Sequence, residues 1–437
     1  MDDGDRVAVE RRDGERFEGV VMPSSDDETV VVKLDDGYNV GVARDTAAVE
    51  VLESGAATTA GDEAGAGAAA EATGEETLVF DEDLPTVALL STGGTIASTV
   101  DYRTGAVTAR FDAEDVLRAV PDLAGMANYR GRVVANLLSE NMTPARWQEL
   151  ARAVHDEIAG PTVGGEELPG ADGVVVMHGT DTMQHSAAAL SFMLDTPVPV
   201  VFVGSQRSAD RPSSDNVVNA VCAVEAATSD ASEVLVCMHA DESDDACALH
   251  RGTRVRKQHT SRRDAFATVG NDPLGRVDYE SREVTWRRER ARRVDDPDER
   301  RDALALRDAL NTDVAHHKFV PGEGPEVLDR YADLDGLVLE GTGLGHVHSD
   351  WAPRIAELVD DGTVVAMTSQ CLEGRVCDRV YDTGRDLLDA GVVEAEDTLP
   401  ETAYVKLMWT LANADDPAAA MNEDLAGEIT ASSRPWT

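Results

Sequence analysis

The sequence predicts an α/β protein built on a mainly parallel sheet, with a small β domain in front of it. From about residue 78, short apolar runs alternate with helical stretches. The apolar runs are continuous, which is typical of strands buried on both faces. Strand then helix, repeated, indicates a largely parallel sheet. The first 53 residues instead alternate apolar and polar side chains around Asp-Gly turns.

Residues 1–53 are predicted to form a small β-barrel. GDRVAVERRDGERFEGVVM alternates around one turn, and TVVVKLDDGYNVGVA repeats the scheme around Asp36-Gly37. Short strands separated by such turns indicate hairpins, and the unit resembles the SH3-like modules appended to RNA-linked enzymes. Fifteen acidic and six basic side chains give it a net charge of −9. Because autonomous RNA binding needs a basic surface, a docking or spacer module is favoured.

Residues 54–77 are predicted to be a flexible acidic linker. They hold almost nothing but small residues and acids, so there are no large side chains to bury. The α/β unit that follows is divided into two lobes, residues 78–320 and residues 321–437. The second lobe is inferred from GLVLEG, the helix after Ser349 and VVAMTS.

Each strand of the first lobe is predicted from one apolar run, and each helix from the stretch after it. The predicted strands are TVALL, RVVANLL, GVVVMHG, VPVVFVG and EVLVCMH, and the predicted helices are DAEDVLRAV, TPARWQELARAVHDEI, Ser186 to Met193 and DNVVNAVCAVEAAT. Thr143 before Pro144 is a good helix start, an N-cap residue followed by proline at N1. In such sheets, sites form at the carboxyl ends of strands.

The charge balance predicts a salt-rich cytoplasm. The 437 residues hold 39 basic and 83 acidic side chains, a formal net charge of −44. So much acid makes a compact chain repel itself, but salt screens the repulsion, since the Debye length is about 3 Å at 1 M. The acids are spread along the chain rather than bunched in a tail. We therefore expect the fold to be more stable in molar KCl than at low salt.

Other features of the sequence argue against a signal peptide, a membrane span and a cysteine metal site. The N-terminus MDDGDRVAVERRDGERF has no apolar core of a signal peptide, and no stretch reaches the ~20 apolar residues that span a bilayer. We expect a cytoplasmic protein without membrane contact. The cysteines are odd in number and lack a CxxC pattern, so we expect reduced thiols and no metal site; they are Cys222, Cys237, Cys247, Cys371 and Cys377.

Two motifs at predicted strand ends carry the chemistry. In LLSTGGTIAS, the strand ends at Ser91 and the chain turns through Thr92-Gly93-Gly94-Thr95. A phosphate loop is an alternative, but the motif lacks both GxGxxG and GxxxxGK[ST]. In GVVVMHGTDTMQHSA, a strand runs into His178-Gly179-Thr180-Asp181-Thr182. Taken singly, Asp181 there is better explained as a helix N-cap than as a ligand group.

Together, TGGTI and HGTDT resemble the two signatures of the L-asparaginase/glutaminase family. The similarity continues at Ser139-Glu140-Asn141-Met142-Thr143-Pro144, where the family has a substrate-binding serine, and at Gly204-Ser205-Gln206. In RGTRVRKQHTSRRDAF, Lys257 matches the family's catalytic lysine. The resemblance covers roughly residues 84 to 415, with gaps. It implies a two-lobed asparaginase-like fold.

The resemblance also implies an activity, acyl transfer in two steps. Thr95 would attack a side-chain amide, ammonia would leave, and water would hydrolyse the acyl-enzyme. Since a hydroxyl needs a neighbour to take its proton, Thr180, Asp181 and Lys257 would form a relay. The resemblance also implies Tyr102 as a catalytic residue, and Gly94, Ser139, Glu140 and Gly179 as substrate-binding residues.

Four points depart from the family pattern or stay open. Tyr102 lies slightly earlier than the simplest alignment places the tyrosine of the mobile loop. Glu140 stands where many asparaginases carry Gln. Lys257 lies in an Arg-rich stretch, so a solvated surface lysine is the alternative. His346 and His348, in GTGLGHVH, are candidates to line the site from the second lobe or from another subunit.

A β-barrel before an asparaginase-like unit resembles the asparaginase-type subunits of archaeal tRNA-dependent amidotransferases. The stretches VDYRTGAVTARF, LEGTGLGHVH and SQCLEGRV add to the resemblance. It implies ammonia release from glutamine or asparagine, and a GatE-like partner that uses ATP and Mg²⁺ to convert Glu-tRNA(Gln) to Gln-tRNA(Gln). It also implies a homodimer within a heterotetramer, with no cofactor in this chain.

Two other functions are weighed against this one. The first is a free L-asparaginase with an N-terminal extension. The second is a tRNA-binding accessory without catalysis, whose support is the arginine cluster in TWRRERARR, residues 285–293. Because acidic residues interrupt and follow that cluster, a salt-bridged exposed helix explains it better.

Overall fold

The computed structural model describes residues 5–12, 14–22, 29–34, 39–54, 75–93, 100–101, 106–107, 116, 120–163, 165–208, 213–287, 303–377 and 379–431. Several predictions fall outside these ranges. They concern Gly94, Thr95, Tyr102, nearly all of the linker, most of the helix DAEDVLRAV and the arginine cluster beyond Arg287.

Within the described residues the chain forms 26 strands and seven α-helices. The strands are β1 Arg6–Arg11, β2 Arg16–Met22, β3 Thr29–Leu34, β4 Asn39–Ala43, β5 Ala47–Glu53, β6 Glu75–Leu78, β7 Thr86–Ser91, β8 Val100–Asp101, β9 Ala106–Val107, β10 Asn128–Val133, β11 Thr162–Val163, β12 Glu166–Glu167, β13 Gly173–Met177, β14 Leu194–Asp195, β15 Val200–Val203, β16 Val234–His239, β17 Ala246–Arg251, β18 Val255–Lys257, β19 Phe266–Thr268, β20 Gly275–Asp278, β21 Val284–Trp286, β22 Ala305–Leu306, β23 Val314–Lys318, β24 Gly336–Gly341, β25 Val364–Ser369 and β26 Val393–Glu394. The helices are α1 Pro144–Ala159, α2 Met183–Met193, α3 Asn216–Ala227, α4 Ala352–Asp360, α5 Asp382–Asp389, α6 Pro400–Asn413 and α7 Pro417–Met421.

The N-terminal region forms a five-stranded antiparallel sheet in the order β4-β3-β2-β1-β5. Valines on one face, among them Val7, Val9 and Val32, make a small core of their own. The side chain of Lys33, which is 9% exposed, extends from this sheet and forms an ion pair with Asp122 of the α/β unit. The β domain is therefore in direct contact with the unit that follows.

The first lobe is built on a nine-stranded sheet in the order β21-β20-β17-β16-β15-β13-β7-β10-β6. The five central strands of this order, β16, β15, β13, β7 and β10, run parallel. The strands on either side of them pair antiparallel. The prediction of a mainly parallel sheet is thus confirmed for the centre. It is mixed at the edges.

One predicted strand is misplaced. The run RVVANLL was predicted as a strand, but β10 is Asn128–Val133 and the chain leaves the ladder at its end. Val134 and Ala135 both donate their backbone N–H to Ser91 O, at 2.8 and 3.1 Å, and Leu137 N donates to Thr92 O. The apolar residues after Val133 therefore wrap around the end of β7 instead of extending the sheet.

Alternate residues of the central strands face two different cores. On one face, side chains such as Leu90, Val176 and Phe202 pack with α1, α2 and α6. On the other face, Leu89, Val175 and Val203 pack with α3. The predicted start of α1 is confirmed, because Thr143 Oγ1 accepts from Arg146 N. Helix α2 begins at Met183, three residues before the predicted start.

The second lobe is a four-stranded parallel sheet in the order β23-β24-β25-β26. Its first strand, Val314–Lys318, lies ahead of residue 321. Val338 of this sheet and Leu407 of α6 belong to the same core as Leu190 of α2, so the lobes share buried apolar contacts. Among the described helices, none is long and apolar enough to cross a membrane.

Candidate active site

Strand β7 ends in a turn that only glycine can make. Thr92 is buried and donates its backbone N–H to Met177 O of the neighbouring strand at 3.1 Å. Gly93 follows with φ +104°, and a Cβ there would lie 2.4 Å from Leu137 O. A side chain would clash with backbone in a conformation that L residues avoid. The chain is thereby fixed where it enters Gly94 and Thr95.

The end of β13 packs directly on the predicted substrate serine. A Cβ on Gly179 would lie 2.7 Å from Ser139 Cβ and 2.9 Å from Ser139 Oγ, so glycine permits this approach. Thr182 Oγ1 donates to Ser139 O at 2.7 Å and locks the contact. The two motif segments are thus brought together, although 40 residues separate them in the chain.

Thr180, Asp181 and Lys257 form one hydrogen-bonded group. Lys257 Nζ donates to Thr180 Oγ1 at 2.9 Å and to Asp181 Oδ1 at 2.7 Å. Only 9% of the lysine side chain is exposed, so Lys257 is not a solvated surface residue, whereas 68% of the Asp181 side chain is exposed. The capping interpretation of Asp181 is wrong, because Thr182 occupies the N-cap position of α2 and the Asp181 carboxylate faces Lys257.

The β18–β19 hairpin, which carries Lys257, is anchored by the side chain of Arg254. The Arg254 side chain is 2% exposed and pairs with Asp397. It also donates to Asp397 O at 2.9 Å, to Glu428 O at 2.7 Å and to Val269 O at 3.1 Å. Since a buried guanidinium is stable only when its donors are satisfied, this cluster fixes the base of the β18–β19 hairpin against the C-terminal residues.

The end of β15 contacts Thr180 from the other side. A Cβ on Gly204 would lie 2.7 Å from His178 O and 2.8 Å from Thr180 Cγ2, so the Gly204 backbone packs against the threonine. The loop after it is held by Asp215, which is fully buried and accepts from Gln206 N and Arg207 N, both at 2.9 Å.

Sequence reasoning missed Asp215. It stands at the N-cap position of α3, where an aspartate is ordinarily explained as a cap, but its carboxylate makes no cap hydrogen bond there. It faces the strand-end loop instead. A fully buried carboxylate that collects backbone N–H groups fixes a loop in one conformation.

His178 is a neutral structural residue of the turn. Burial lowers its pKa to about 4, opposed only in part by the hydrogen bond to Gly179 O. Its Nδ1 lies 2.7 Å from that carbonyl and therefore donates to it. At neutral pH the ring adds no charge beside Thr180.

The remaining predicted positions lie around this centre. Glu140 is exposed on the short 3₁₀ turn Ser139–Asn141. His346 packs against Tyr381 with ring centroids 5.6 Å apart, and His348 accepts from Asp350 N at the start of the turn before α4. These contacts do not test the predicted roles. In the described part of the chain, no group of three or more His, Cys, Asp and Glu side chains is placed to hold a metal ion.

The arrangement is suited to activating a nucleophile. A hydroxyl, an amine and a carboxylate are in contact at the carboxyl end of a central parallel strand, one strand away from a glycine turn. Such a group passes a proton from an attacking hydroxyl to an amine. This geometry is compatible with a hydrolase that uses a side-chain hydroxyl as nucleophile.

Comparison with known proteins agrees with this class. Residues 86–292 match the family model "Asparaginase, N-terminal", and residues 313–422 match the "Glutaminase/Asparaginase C-terminal domain". Residues 1–52 match the "GatD N-terminal domain". The thermostable L-asparaginase from Thermococcus kodakarensis is 31% identical with a TM-score of 0.69, over 79% of this chain and 100% of its own. L-asparaginase I from Vibrio cholerae is 25% identical with a TM-score of 0.66, over 79% and 99%.

Two curated relatives match over nearly the whole length. The GatD subunit of glutamyl-tRNA(Gln) amidotransferase from Halobacterium salinarum is 66% identical over 100% of this chain and 99% of the relative. The corresponding GatD subunit from Methanosarcina barkeri is 51% identical over 98% of each. The chain therefore belongs to the GatD family of amidotransferase subunits, which are enzymes of the glutaminase/asparaginase type.

Proposed function

We propose that this chain hydrolyses the side-chain amide of glutamine or asparagine and supplies the ammonia to a partner that converts Glu-tRNA(Gln) to Gln-tRNA(Gln). The observation that carries the chemical part is the contact of Lys257 Nζ with both Thr180 Oγ1 and Asp181 Oδ1. The full-length similarity to GatD subunits carries the biological part.

The nucleophile in this proposal is Thr95, two residues beyond Gly93. Two residues span at most about 7 Å, so Thr95 is within reach of the strand ends. Its Oγ bonds to the amide carbon, and its proton passes through Thr180 to Lys257. The C–N bond then breaks, the proton goes to the nitrogen, and ammonia leaves. General-base help of this kind contributes roughly 10²–10⁴-fold.

Hydrolysis of the acyl-enzyme uses the same groups in reverse order. Water adds to the ester carbon and its proton returns through Lys257 to Thr95 Oγ, which leaves as the acid product forms. Backbone N–H groups near Gly94 and Thr180 stabilise the negative oxygen in both steps, by roughly 3–4 kcal/mol for each donor. Tyr102, which lies outside the described residues, is assigned to the same reaction by the family resemblance.

Substrate is held by the groups around this centre. The Asp181 carboxylate, with 68% of its side chain exposed, is available to a substrate α-ammonium while it contacts Lys257. Ser139, locked against Gly179, binds the α-carboxylate, and Glu140 adds a second acceptor for the ammonium. A carboxylate in place of an amide at position 140 favours a more strongly bound ammonium group.

The partner in this proposal is a larger GatE-like subunit. It holds ATP and Mg²⁺, activates the glutamyl ester on tRNA(Gln) and amidates it with the ammonia, in the cytoplasm. Two copies of each subunit form a heterotetramer around a homodimer of this chain. The N-terminal sheet is a small SH3-like barrel whose docking through Lys33 and Asp122 relays the partner's state to the amidase unit.

A free L-asparaginase with an N-terminal extension is the second candidate. It is supported by the likeness to two asparaginases over 79% of the chain. Those asparaginases cover 79% of this chain, whereas the GatD subunits cover 98–100% of it, and residues 1–52 match the GatD N-terminal domain. The first candidate therefore accounts for more of the molecule.

Purification of the tagged chain from its own host in molar KCl tests the proposal. We expect a second, larger subunit in equal amount, with tRNA-dependent consumption of glutamine. A homo-oligomer that hydrolyses asparagine at full rate by itself would establish the free asparaginase instead. The variant Thr95→Ala should lose ammonia release and keep assembly, while Thr285→Ala, on the exposed face of an edge strand, should keep both.

A further inference from the structure

A chain of hydrogen bonds runs through the interior behind the site. It consists of the side chains of Asp215, Asn219, His239, Asp244 and Arg263, which come from α3, the end of β16 and two loops. Asp215, Asn219 and His239 are each 0% exposed. The charges alternate along the chain if His239 is protonated.

The orientation of the Asn219 amide is fixed by its neighbours. Its Nδ2 donates to Gly204 O and to Asp215 Oδ2, both at 2.9 Å, and neither atom can donate in return. Its Oδ1 therefore faces His239 Nδ1, at 2.6 Å. Because an amide oxygen only accepts, Nδ1 must carry a hydrogen.

The other ring nitrogen meets an acceptor too. His239 Nε2 lies 3.1 Å from Asp244 Oδ1. The same oxygen accepts from Arg263 Nη1, so Asp244 is the ionised partner of a guanidinium. Nε2 must then also donate. A neutral imidazole has one donor, so only the imidazolium satisfies both neighbours. Were the ring neutral, one buried contact would join two acceptors, which is costly in the interior.

The two ends of this chain hold the two sides of the Thr180–Lys257 contact. Asp215 fixes the loop that begins at Gly204, whose backbone packs on Thr180. At the other end, Arg263 lies in the loop of the β18–β19 hairpin, which it ties to Glu242 O at 2.6 Å. That hairpin carries Lys257.

We propose that His239, as a buried imidazolium, is a positioning residue that holds the Lys257 hairpin at hydrogen-bond distance from Thr180. It touches neither substrate nor the reacting atoms. This inference rests on the roles proposed above for Thr180 and Lys257. A loss of this brace lets the Nζ–Oγ1 separation of 2.9 Å increase, and proton transfer falls steeply with such misplacement.

The test is His239→Gln in the full chain within its complex, in molar KCl. The NH₂ group of glutamine lies on one side of its amide and the carbonyl oxygen on the other. The side chain can therefore donate to Asn219 or to Asp244 but not to both, and one of the two hydrogen bonds is lost. We expect kcat for ammonia release to fall roughly 10–100-fold while KM changes less than about 2-fold. The matched control is Glu157→Gln, which disrupts the buried Arg130–Glu157 pair, 7% and 4% exposed, at the opposite edge of the sheet. That variant should lose stability without losing kcat.

A spectroscopic measurement tests the protonation state directly. With ¹⁵N-labelled histidine in the wild-type chain at pH 8, one ring should show hydrogens on both nitrogens, and its signals should be absent from His239→Gln. If the signals that disappear in His239→Gln come from a ring with one unprotonated nitrogen, the inference is overturned. If His239→Gln does not fold, Arg263→Gln replaces it, since only 15% of that side chain is exposed and it holds the end of the chain.

The outcomes separate this inference from the proposed function. Full activity in Lys257→Met would refute the relay, and with it the positioning role of His239. The protonation state of His239 would still be decided separately by the ¹⁵N spectrum. An inactive Lys257→Met with a fully active, folded His239→Gln would refute the positioning role alone.

Discussion

Lys406 and Lys257 both have largely covered side chains, 0% and 9% exposed, but their surroundings are opposite. Lys406 of α6 donates to Glu428 Oε1 at 2.7 Å, to Met421 O at 3.1 Å and to Glu423 O at 2.5 Å, and both side chains of the Lys406–Glu428 pair are 0% exposed. Lys257 donates to two side chains among the described residues, and its carboxylate partner Asp181 is 68% exposed.

The difference indicates what each lysine does. An ammonium group has three hydrogens, and Lys406 uses all of them on fixed acceptors. Burial lowers the pKa of Lys406, and Glu428 opposes the shift. Its environment is closed and serves the fold. Lys257 keeps one side open to solvent through Asp181, and we expect substrate to bind on this side. The comparison predicts that the first lysine matters for stability and the second for activity.

The largest expected effect is on activity. Lys257→Met should lower the rate of ammonia release roughly 10²–10⁴-fold, because it removes the proposed proton acceptor, with little change in the free energy of unfolding. The rate is measured with glutamine and with asparagine, and stability by denaturant titration. Lys318→Met, at a lysine whose side chain is 56% exposed, is the control. A normal rate in Lys257→Met would remove the lysine from the mechanism.

The converse variant should act on stability. Lys406→Met leaves Glu428 buried without its cation, which costs roughly 3–5 kcal/mol of the free energy of unfolding. Titration with guanidinium chloride in a constant high concentration of KCl measures it. Lys406→Met combined with Glu428→Gln should recover part of the loss. A single variant within about 1 kcal/mol of wild type would contradict the comparison.

Acid should destabilise the fold through two buried histidines, His178 and His250. Burial lowers the pKa of His178 and of His250 to about 4, below the ordinary value of 6.5. The folded state therefore binds fewer protons than the unfolded state, and stability is lost as pH falls from 6.5 toward 4. Each histidine should cost about 2 kcal/mol between pH 8 and pH 5. Unfolding measured across this range should show a shallower slope in His250→Gln; an unchanged slope would exclude this residue.

The smallest effect is expected at an exposed ion pair. Arg146 and Glu149 on α1 are in contact, but 46% and 44% of their side chains are exposed. Such pairs contribute about 0–1 kcal/mol, and high salt screens them further. Arg146→Ala should leave the midpoint of unfolding within experimental error. A loss as large as that of Lys406→Met would mean that exposure does not separate the two kinds of pair.

The sequence predicted the centre of the site because its residues stand in short motifs. Thr180, Asp181 and Lys257 were assigned together, and the structure brings them into contact. Taken without the resemblance, Asp181 was misread as a cap, since a carboxylate before a helix has the same local pattern in either role. Strand β10 begins four residues before the predicted run RVVANLL, because the residues after Val133 hydrogen-bond to the end of β7 rather than pair in the sheet.

The supporting residues could not be predicted in the same way. Asp215 and Asn219 are four residues apart, but the bond between Asn219 and His239 joins a helix to a strand 20 residues away, and no local spacing marks it. EVLVCMH predicts a buried strand correctly, but a histidine at its end is equally compatible with solvent. Which partner each ring nitrogen meets depends on the order of strands in the sheet. That order is a property of the whole chain.

The contact of Arg254 with Glu428 has a consequence for biosynthesis. The hairpin that bears Lys257 is complete as a sequence long before the ribosome adds residue 428, yet Arg254 has its full set of acceptors only after Asp397 and Glu428 have emerged and docked. A nascent chain therefore carries every motif of the site without a rigid hairpin to support it. We therefore expect amide hydrolysis to begin only after Asp397 and Glu428 have folded against the hairpin.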